Sequence, residues 1–290
     1  MALATVPALA SFKPLSGATF CCVLGSPIAH SKSPLIHRLF AEQSGLRLQY
    51  ERFEVKPAEL GQALAVLHAL GCLGVNVTIP LKEEARRLAT HATPQAELAG
   101  AANTLWWARA RLQCGNTDGL GLVNDLLISR FAALEGSRIL LLGAGGAAAG
   151  VIPALLETHP QELVVLNRTP ARAQILVARH PTKRCLKVAV PETTFVRPFD
   201  LVINATSSSL NATVPVVDPS AIGSQTACYD MFYGVGETTF LRWGRALGAT
   251  RCRDGLGMLI EQAAVAFYQW HKRKPETPPV FLALGRSLIG

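Results

Sequence analysis

From Thr19 onward, short apolar runs alternate with longer stretches in which apolar residues recur every third or fourth position. The first pattern suits strands covered on both faces, and the second suits helices that pack on them. In the first third of the chain it predicts a strand from Thr19 to Leu24, a helix from Pro34 to Gln43, a strand from Leu48 to Phe53, a helix from Glu59 to Ala69 and a strand from Gly74 to Ile79. A second series opens with a strand from Arg138 to Leu142 and a helix after a run of glycines. Strands from Leu163 to Leu166 and Leu201 to Asn204 follow, with others near Lys187 and Thr226. Helices are expected from Leu256 to His271 and from about Pro279 to Leu288, linked by the proline-rich stretch Pro275 to Pro279. This alternation predicts an α/β protein with parallel sheets covered by helices on both faces. At 290 residues, two domains are the expected number.

Composition narrows the picture. Apolar residues make up 49% of the chain, ample for two cores. No uninterrupted apolar run of about eighteen residues occurs, which excludes a membrane-spanning helix. Residues Met1 to Gly17 carry one Lys, no Arg and no acid, and read as a loose extension rather than a secretion signal. The cysteines Cys21, Cys22, Cys72, Cys114, Cys185, Cys228 and Cys252 show neither CxxC spacing nor histidines at ligand intervals, so a reduced, cytoplasmic, metal-free protein is expected. The net charge of +8 is spread along the chain without a basic stripe. It fits an enzyme of anionic small molecules better than a nucleic-acid binder.

The glycine run has a specific context. Gly143-Ala144-Gly145-Gly146-Ala147-Ala148 places GxGxxA between an apolar strand and a helical stretch, as a dinucleotide fingerprint requires. Gly143 permits the tight turn, Gly145 lets the backbone approach a pyrophosphate, and the small Ala148 lets helix pack on sheet. NAD enzymes carry an acid at the end of the next strand, which accepts the ribose hydroxyls. Here Asn167-Arg168-Thr169 and Arg172 stand instead, and two guanidinium groups suit a 2′-phosphate. NADP is therefore favoured over NAD. Solvated surface arginines are the alternative use of Arg168 and Arg172.

Other polar groups cluster at predicted element ends. Ser31 and Ser33 precede a helix, with Ser33 read as its N-cap and Pro34 as its first residue. Two hydroxyls beside a helix start also suit a carboxylate, so capping and binding are both open readings. Lys82 sits at a helix start, beside Glu83 and Glu84 and against the dipole, where a lysine either reaches solvent or is kept for a purpose. Asn103 and Asp118 lie in turn or cap positions, and Asp118 is a candidate counter-charge for Lys82. The seven histidines show no triad or metal spacing.

Taken in order, AHSKSP, NVTIPLKEE, AGAANTL, GNTDG, GAGGA, NRTPAR, NATS, YDMFY and DGLGMLIEQAA resemble the shikimate dehydrogenase family from Thr19 onward. The resemblance implies a substrate domain from residues 1–118 and 255–290 and a Rossmann-like, doubly wound nucleotide domain from 119–254, with substrate in the cleft between them. It places substrate contacts on Ser31, Ser33, Thr78, Lys82, Asn103, Asp118, Tyr233 and Gln262, and catalysis on Lys82 and Asp118. Cofactor contacts fall on Gly143, Ala144, Gly145, Gly146, Ala147, Asn167, Arg168, Thr169, Arg172, Ala205, Thr206, Met231 and Gly255. The implied activity is NADP-dependent reduction of 3-dehydroshikimate to shikimate on the route to chorismate and aromatic amino acids. A monomer or homodimer handling small molecules, without nucleic-acid or membrane partners, is expected. Two features depart from the family pattern: the extension before Thr19, and Pro153, which should interrupt and kink the helix after the glycine turn.

Overall fold

The computed structural model describes Leu9 and residues 11–234 and 236–289. The chain divides into two compact units, one running up to Thr117 and adding Gln262–Val280, the other formed by Asp118–Glu261 with the residues from Phe281 onward. Among the described residues no helix is long and apolar enough to cross a membrane.

The first unit holds β1 (Thr19–Gly25), α1 (Ser33–Ser44), β2 (Leu48–Glu54), α2 (Leu60–Ala69), β3 (Gly74–Val77), α3 (Lys82–Leu88), β4 (His91–Ala92), α4 (Pro94–Ala99), β5 (Thr104–Ala108) and β6 (Arg111–Gly115). Its sheet runs β2-β1-β3-β5-β6-β4. Along β1, Phe20, Cys22 and Leu24 enter one core cluster while Cys21 and Val23 enter another with Tyr50 and Trp270. A strand covered on both faces reads as an unbroken apolar run, which is why its sequence was so plain.

Three expectations change here. The sheet is mixed rather than parallel, because β5 pairs antiparallel with both β3 and β6. The β5–β6 hairpin turns at Arg109 and Ala110, both at positive φ (49° and 62°), instead of the Asn-Gly that usually announces such a turn. Strand β3 ends at Val77, two residues early, since Thr78 opens a turn closed by Leu81 N–H donating to its carbonyl at 2.8 Å. Most of the expected loose extension lies outside the described residues, but the part that is described is packed. Leu9 is 1% exposed, and the Phe12 ring lies 4.8 Å from Phe20 and 5.2 Å from Phe53.

The second unit contains α5 (Asp118–Ile128), β7 (Arg138–Leu142), α6 (Gly146–Glu157), β8 (Glu162–Leu166), α7 (Pro170–Ala178), β9 (Leu186–Ala189), β10 (Leu201–Asn204), β11 (Ala227–Asp230), α8 (Thr239–Ala246) and β12 (Arg251–Asp254). After β12 come α9 (Leu256–His271), which the boundary divides, and α10 (Pro278–Ile289). Its sheet is wholly parallel in the order β12-β11-β10-β7-β8-β9. This is the doubly wound arrangement, with the chain stepping outward from β7 to β9 and then returning to β10 on the other side. The expected interruption at Pro153 does not occur. Helix α6 runs through it, and the buried side chains from Ala148 to Leu156 hold the segment against the loss of one backbone donor.

One buried group makes the first unit sensitive to acid. The His37 ring stacks on Tyr50 at 4.1 Å and lies 5.5 Å from Trp270. Burial, aided by nearby His271, pushes its pKa from 6.5 down to about 3. Below about pH 6.5 the unfolded chain takes up a proton that the folded chain refuses, so stability falls as pH drops toward 3. His271, pushed down to about 4, acts in the same sense. Urea melts from pH 7 to 4 should show this slope, and His37→Phe should flatten it by up to about 1.4 kcal/mol per pH unit. An unchanged slope in that variant would exclude His37 as the cause.

Candidate active site

In the first unit, amide and hydroxyl side chains converge at the ends of β3, β5 and β6. Asn76, the third residue of β3, donates from Nδ2 to the Asn103 carbonyl (3.1 Å) and Thr104 Oγ1 (3.2 Å), and accepts the Tyr50 hydroxyl at 2.7 Å. Asn103 Nδ2 donates to Thr117 Oγ1 (2.9 Å) and Gln262 Oε1 (3.3 Å), while its Oδ1 accepts Thr117 N–H (2.9 Å). Two predicted substrate residues, Asn103 and Gln262, are therefore neighbours although 159 positions apart. Asn116 donates to the Ala101 carbonyl at 2.9 Å and fixes the turn that leads to the buried Asp118. Asp118 opens α5 and belongs to the second unit.

Ser31 and Ser33 sit where expected, with their roles at the helix start exchanged. Helix α1 begins at Ser33 itself, and no side chain caps it in the ordinary manner. Ser31 Oγ accepts the Ser33 N–H at 3.3 Å. Ser33 is thus not an N-cap, and its buried side chain lies on the first turn of α1. Thr78 and Lys82 are half-buried on either side of the Thr78–Leu81 turn. The Lys82 carbonyl accepts Ala102 N–H at 2.8 Å, which ties the start of α3 to the Asn103 segment.

In the second unit the predicted cofactor residues gather at the ends of β7, β8, β10 and β11. Gly143 leaves β7 at φ 112°, a conformation that favours glycine, and a Cβ there would meet the Ala205 carbonyl at 3.1 Å and Thr206 Cγ2 at 3.2 Å. The fingerprint glycine and the NATS turn are therefore in contact. Gly145 precedes α6, and nothing lies within 4 Å of where its Cβ would project. Protein packing does not demand a glycine there. The N–H groups of the first turn of α6 lack intrahelical acceptors by geometry, and a free helix start of this kind suits an anion such as a pyrophosphate.

Asn167 follows β8 and bridges to the Thr169 carbonyl at 2.9 Å, shaping the turn that presents Arg168 and Arg172. Both arginines are exposed, and neither is ion-paired to an acid among the described residues. Gly255 packs on Met231, whose carbonyl lies only 2.3 Å from where a Cβ would stand. Tyr233, on the same loop, is half-buried beside Phe232.

Sequence reasoning passed over several residues that organise these groups. Asn76 and Thr117 lay inside quoted motifs but were not singled out, and Tyr50 reads as one of the inward-facing positions of a strand whose other residues include Gln49, Glu51, Arg52 and Glu54. In the second unit, buried Asp125 accepts two hydrogen bonds from Arg253 (3.0 and 2.7 Å) and one from Tyr229 (2.8 Å). Their separation along the chain hid this cluster.

Three family descriptions match the chain in order: the shikimate dehydrogenase substrate binding domain over residues 23–105, shikimate / quinate 5-dehydrogenase over 125–221, and the shikimate 5′-dehydrogenase C-terminal domain over 255–280. A shikimate dehydrogenase (NADP(+)) from Alkalilimnicola ehrlichii is 48% identical over 262 residues, 90% of this chain and 97% of that one. One from Nitrosococcus oceani is 45% identical, covering 92% and 95%. Among solved structures, a shikimate 5-dehydrogenase from Thermus thermophilus in complex with NADP(H) and shikimate superimposes with a TM-score of 0.83 at 32% identity, covering 93% of this chain and 99% of that one. An Ael1 enzyme from Pseudomonas putida gives a TM-score of 0.86 at 38% identity, covering 92% and 98%. With relatives this similar along nearly their whole length, the chain belongs to the shikimate dehydrogenase family.

Proposed function

We propose that this chain catalyses the reversible, NADP-dependent reduction of 3-dehydroshikimate to shikimate, on the route to chorismate and aromatic amino acids. The observation that carries the reading is a polar set for a small hydroxylated acid, combined in one chain with a phosphate-binding turn flanked by arginines. Ser31 and Ser33 anchor the substrate carboxylate, Thr78, Asn103, Asp118 and Gln262 take ring hydroxyls, and Tyr233 is a further substrate contact. The Asn76–Asn103–Thr117 hydrogen bonds fix the amide orientations in advance, so little ordering remains to be done on binding. Residues Gly143 to Ala147 hold the pyrophosphate. Asn167, Arg168, Thr169 and Arg172 hold the 2′-phosphate end, and Ala205, Thr206, Met231 and Gly255 complete the cofactor contacts.

Bound NADPH supplies the hydride. As the ketone carbon receives it, the carbonyl oxygen gains charge, and Lys82 with Asp118 supplies the proton that converts the forming alkoxide to the hydroxyl. The substrate half comprises residues 1–118 and 255–290, and the cofactor half residues 119–254. All seven cysteines are unbridged, which suits a reducing, cytoplasmic setting. Small anions rather than nucleic acids are the partners, and the chain acts as a monomer or homodimer.

An absorbance assay crossing shikimate and quinate with NADP and NAD tests the whole reading. Turnover should be confined to shikimate with NADP; equal use of NAD or of quinate would transfer the assignment to a quinate/shikimate dehydrogenase. Within that assay, Lys82→Ala should lower the rate by about 10²- to 10⁴-fold with the fold intact. Lys82→Arg should not restore it, because guanidinium does not release a proton near neutral pH. Near-normal turnover in a folded Lys82→Ala variant would remove Lys82 from the chemistry.

Replacing Ser31 and Ser33 together by Ala should chiefly raise the shikimate KM, since a carboxylate anchor is held in ground and transition states alike. A normal KM accompanied only by a lower Tm would assign them to the helix start. For the cofactor, Arg168→Ala or Arg172→Ala should weaken NADP by about tenfold to a hundredfold per lost contact. Arg168→Asp should move preference toward NAD by adding repulsion to the 2′-phosphate and an acceptor for ribose hydroxyls. Unchanged NADP affinity in both alanine variants would place phosphate recognition elsewhere.

A further inference from the structure

Two turns of the second unit, after β10 and after β11, converge on one buried carboxylate. Asp230 ends β11 with no exposed surface. Its Oδ1 accepts Asn204 Nδ2 at 3.0 Å and Phe232 N–H at 3.1 Å, and its Oδ2 accepts the Ser209 and Thr238 hydroxyls, each at 2.6 Å. Asn204, equally buried at the end of β10, passes the constraint on. Its Oδ1 accepts Thr206 N–H (3.1 Å) and Thr206 Oγ1 (2.7 Å), and its carbonyl accepts Met231 N–H (2.9 Å). Asp230 therefore reaches the Ala205–Thr206 turn through one intermediary and the Met231–Tyr233 turn directly.

The cluster is costly to assemble. Burial pushes the Asp230 carboxyl above the usual aspartate range, with the four donors offsetting part of that shift. No cation is ion-paired to it among the described residues. A neutral residue would fill the space at lower cost, but it could not accept all four donors at once. The residues whose backbone it fixes are those assigned above to cofactor and substrate.

We infer that Asp230 is a positioning residue for the reaction: through Asn204 and the Phe232 amide it holds the turns bearing Ala205, Thr206, Met231 and Tyr233 in one fixed register. This rests on the proposed function for what those turns bind, whereas the coupling of the two turns rests on the hydrogen bonds alone. Asp230→Asn preserves shape and can recover most of the network. The two N–H donors at Oδ1 require an oxygen there, while the hydroxyls at the Oδ2 position can rotate to accept from the new amide. Asp230→Ala leaves all four donors without their acceptor.

The test combines ligand-free hydrogen exchange with steady-state kinetics on the full chain. Asp230→Ala should speed exchange in residues 205–209 and 231–234 together while β7 and β8 stay protected. It should also lower kcat and raise the KM for both NADP and shikimate, reducing kcat/KM by about tenfold to a hundredfold. Asp230→Asn should recover most of both signals. By contrast, Arg168→Ala should move the NADP KM without altering exchange at either turn. If Asp230→Ala fails to fold, Ser209→Ala, which removes one donor at a half-buried position, should give the same pattern at about threefold. A folded variant with a lower Tm but wild-type exchange at both turns, or with wild-type kcat and KM, would overturn the inference. Coupled exchange in a chain that turns over no shikimate would uphold the positioning of the turns and reject the proposed reaction instead.

Discussion

In an open parallel sheet the chain can leave a strand toward either neighbour, and where two adjacent strands send it in opposite directions a crevice remains at their carboxyl ends. Strands β7 and β10 are such a pair, since the connection from β7 goes toward β8 and that from β10 toward β11. The second unit depends on this reversal. It leaves the Gly143 turn and the Ala205–Thr206 turn with no strand between them, and the two come within van der Waals contact. The two fingerprint glycines differ: Gly143 is held at a positive φ, whereas the space beside Gly145 is open. Only the first is imposed by the protein's own packing.

The first unit solves a different problem, how to keep the converging amides and hydroxyls at the ends of β3, β5 and β6 partnered under partial cover. Its solution relies on amides, which both donate and accept. Asn76 and Asn103 each connect several elements, and Thr117 and Gln262 bring in residues remote along the chain. Buried networks of this type cost heavily when incomplete and hold a unique geometry when satisfied. Tyr50 extends the network, and the stacked, neutral His37 ring holds Tyr50 in place. The requirement that these amides have partners thus holds Asn103 and Gln262 together although they are remote along the chain.

What the sequence made legible follows the same physics. The doubly wound unit could be read because each of its central strands is apolar on both faces and each turn carries glycine, proline or asparagine. The antiparallel hairpin of β5 and β6 could not be, because Arg109 and Ala110 occupy a turn that usually advertises itself with glycine. The helix after Ser31 begins at Ser33 rather than at Pro34, with Lys32 at the cap position and no side chain capping it, which the Ser-Pro pattern does not reveal. The motif residues Lys82, Asp118 and Arg168 were singled out from local context and family resemblance. Asp125, Asn204 and Asp230 were missed, since their importance lies in contacts made only after the strands are aligned.

Two of the buried acids of the second unit, Asp125 and Asp230, show why such residues differ in kind from the motif residues. Asp125 is met by the forked guanidinium of Arg253, and the pair closes its charge within the fold, joining α5 to β12. Asp230 is met by four neutral donors from the end of β10 and the connections after β10 and β11, and its charge is spread over groups that themselves belong to those segments. An ion pair of the first type can be exchanged for apolar packing with little loss of order. A hub of the second type cannot, because four donors would each need a new acceptor and no single neutral side chain supplies them. The geometry of the turns after β10 and β11 is therefore tied to one carboxylate, and the residues assigned to ligands on those turns inherit their precision from it.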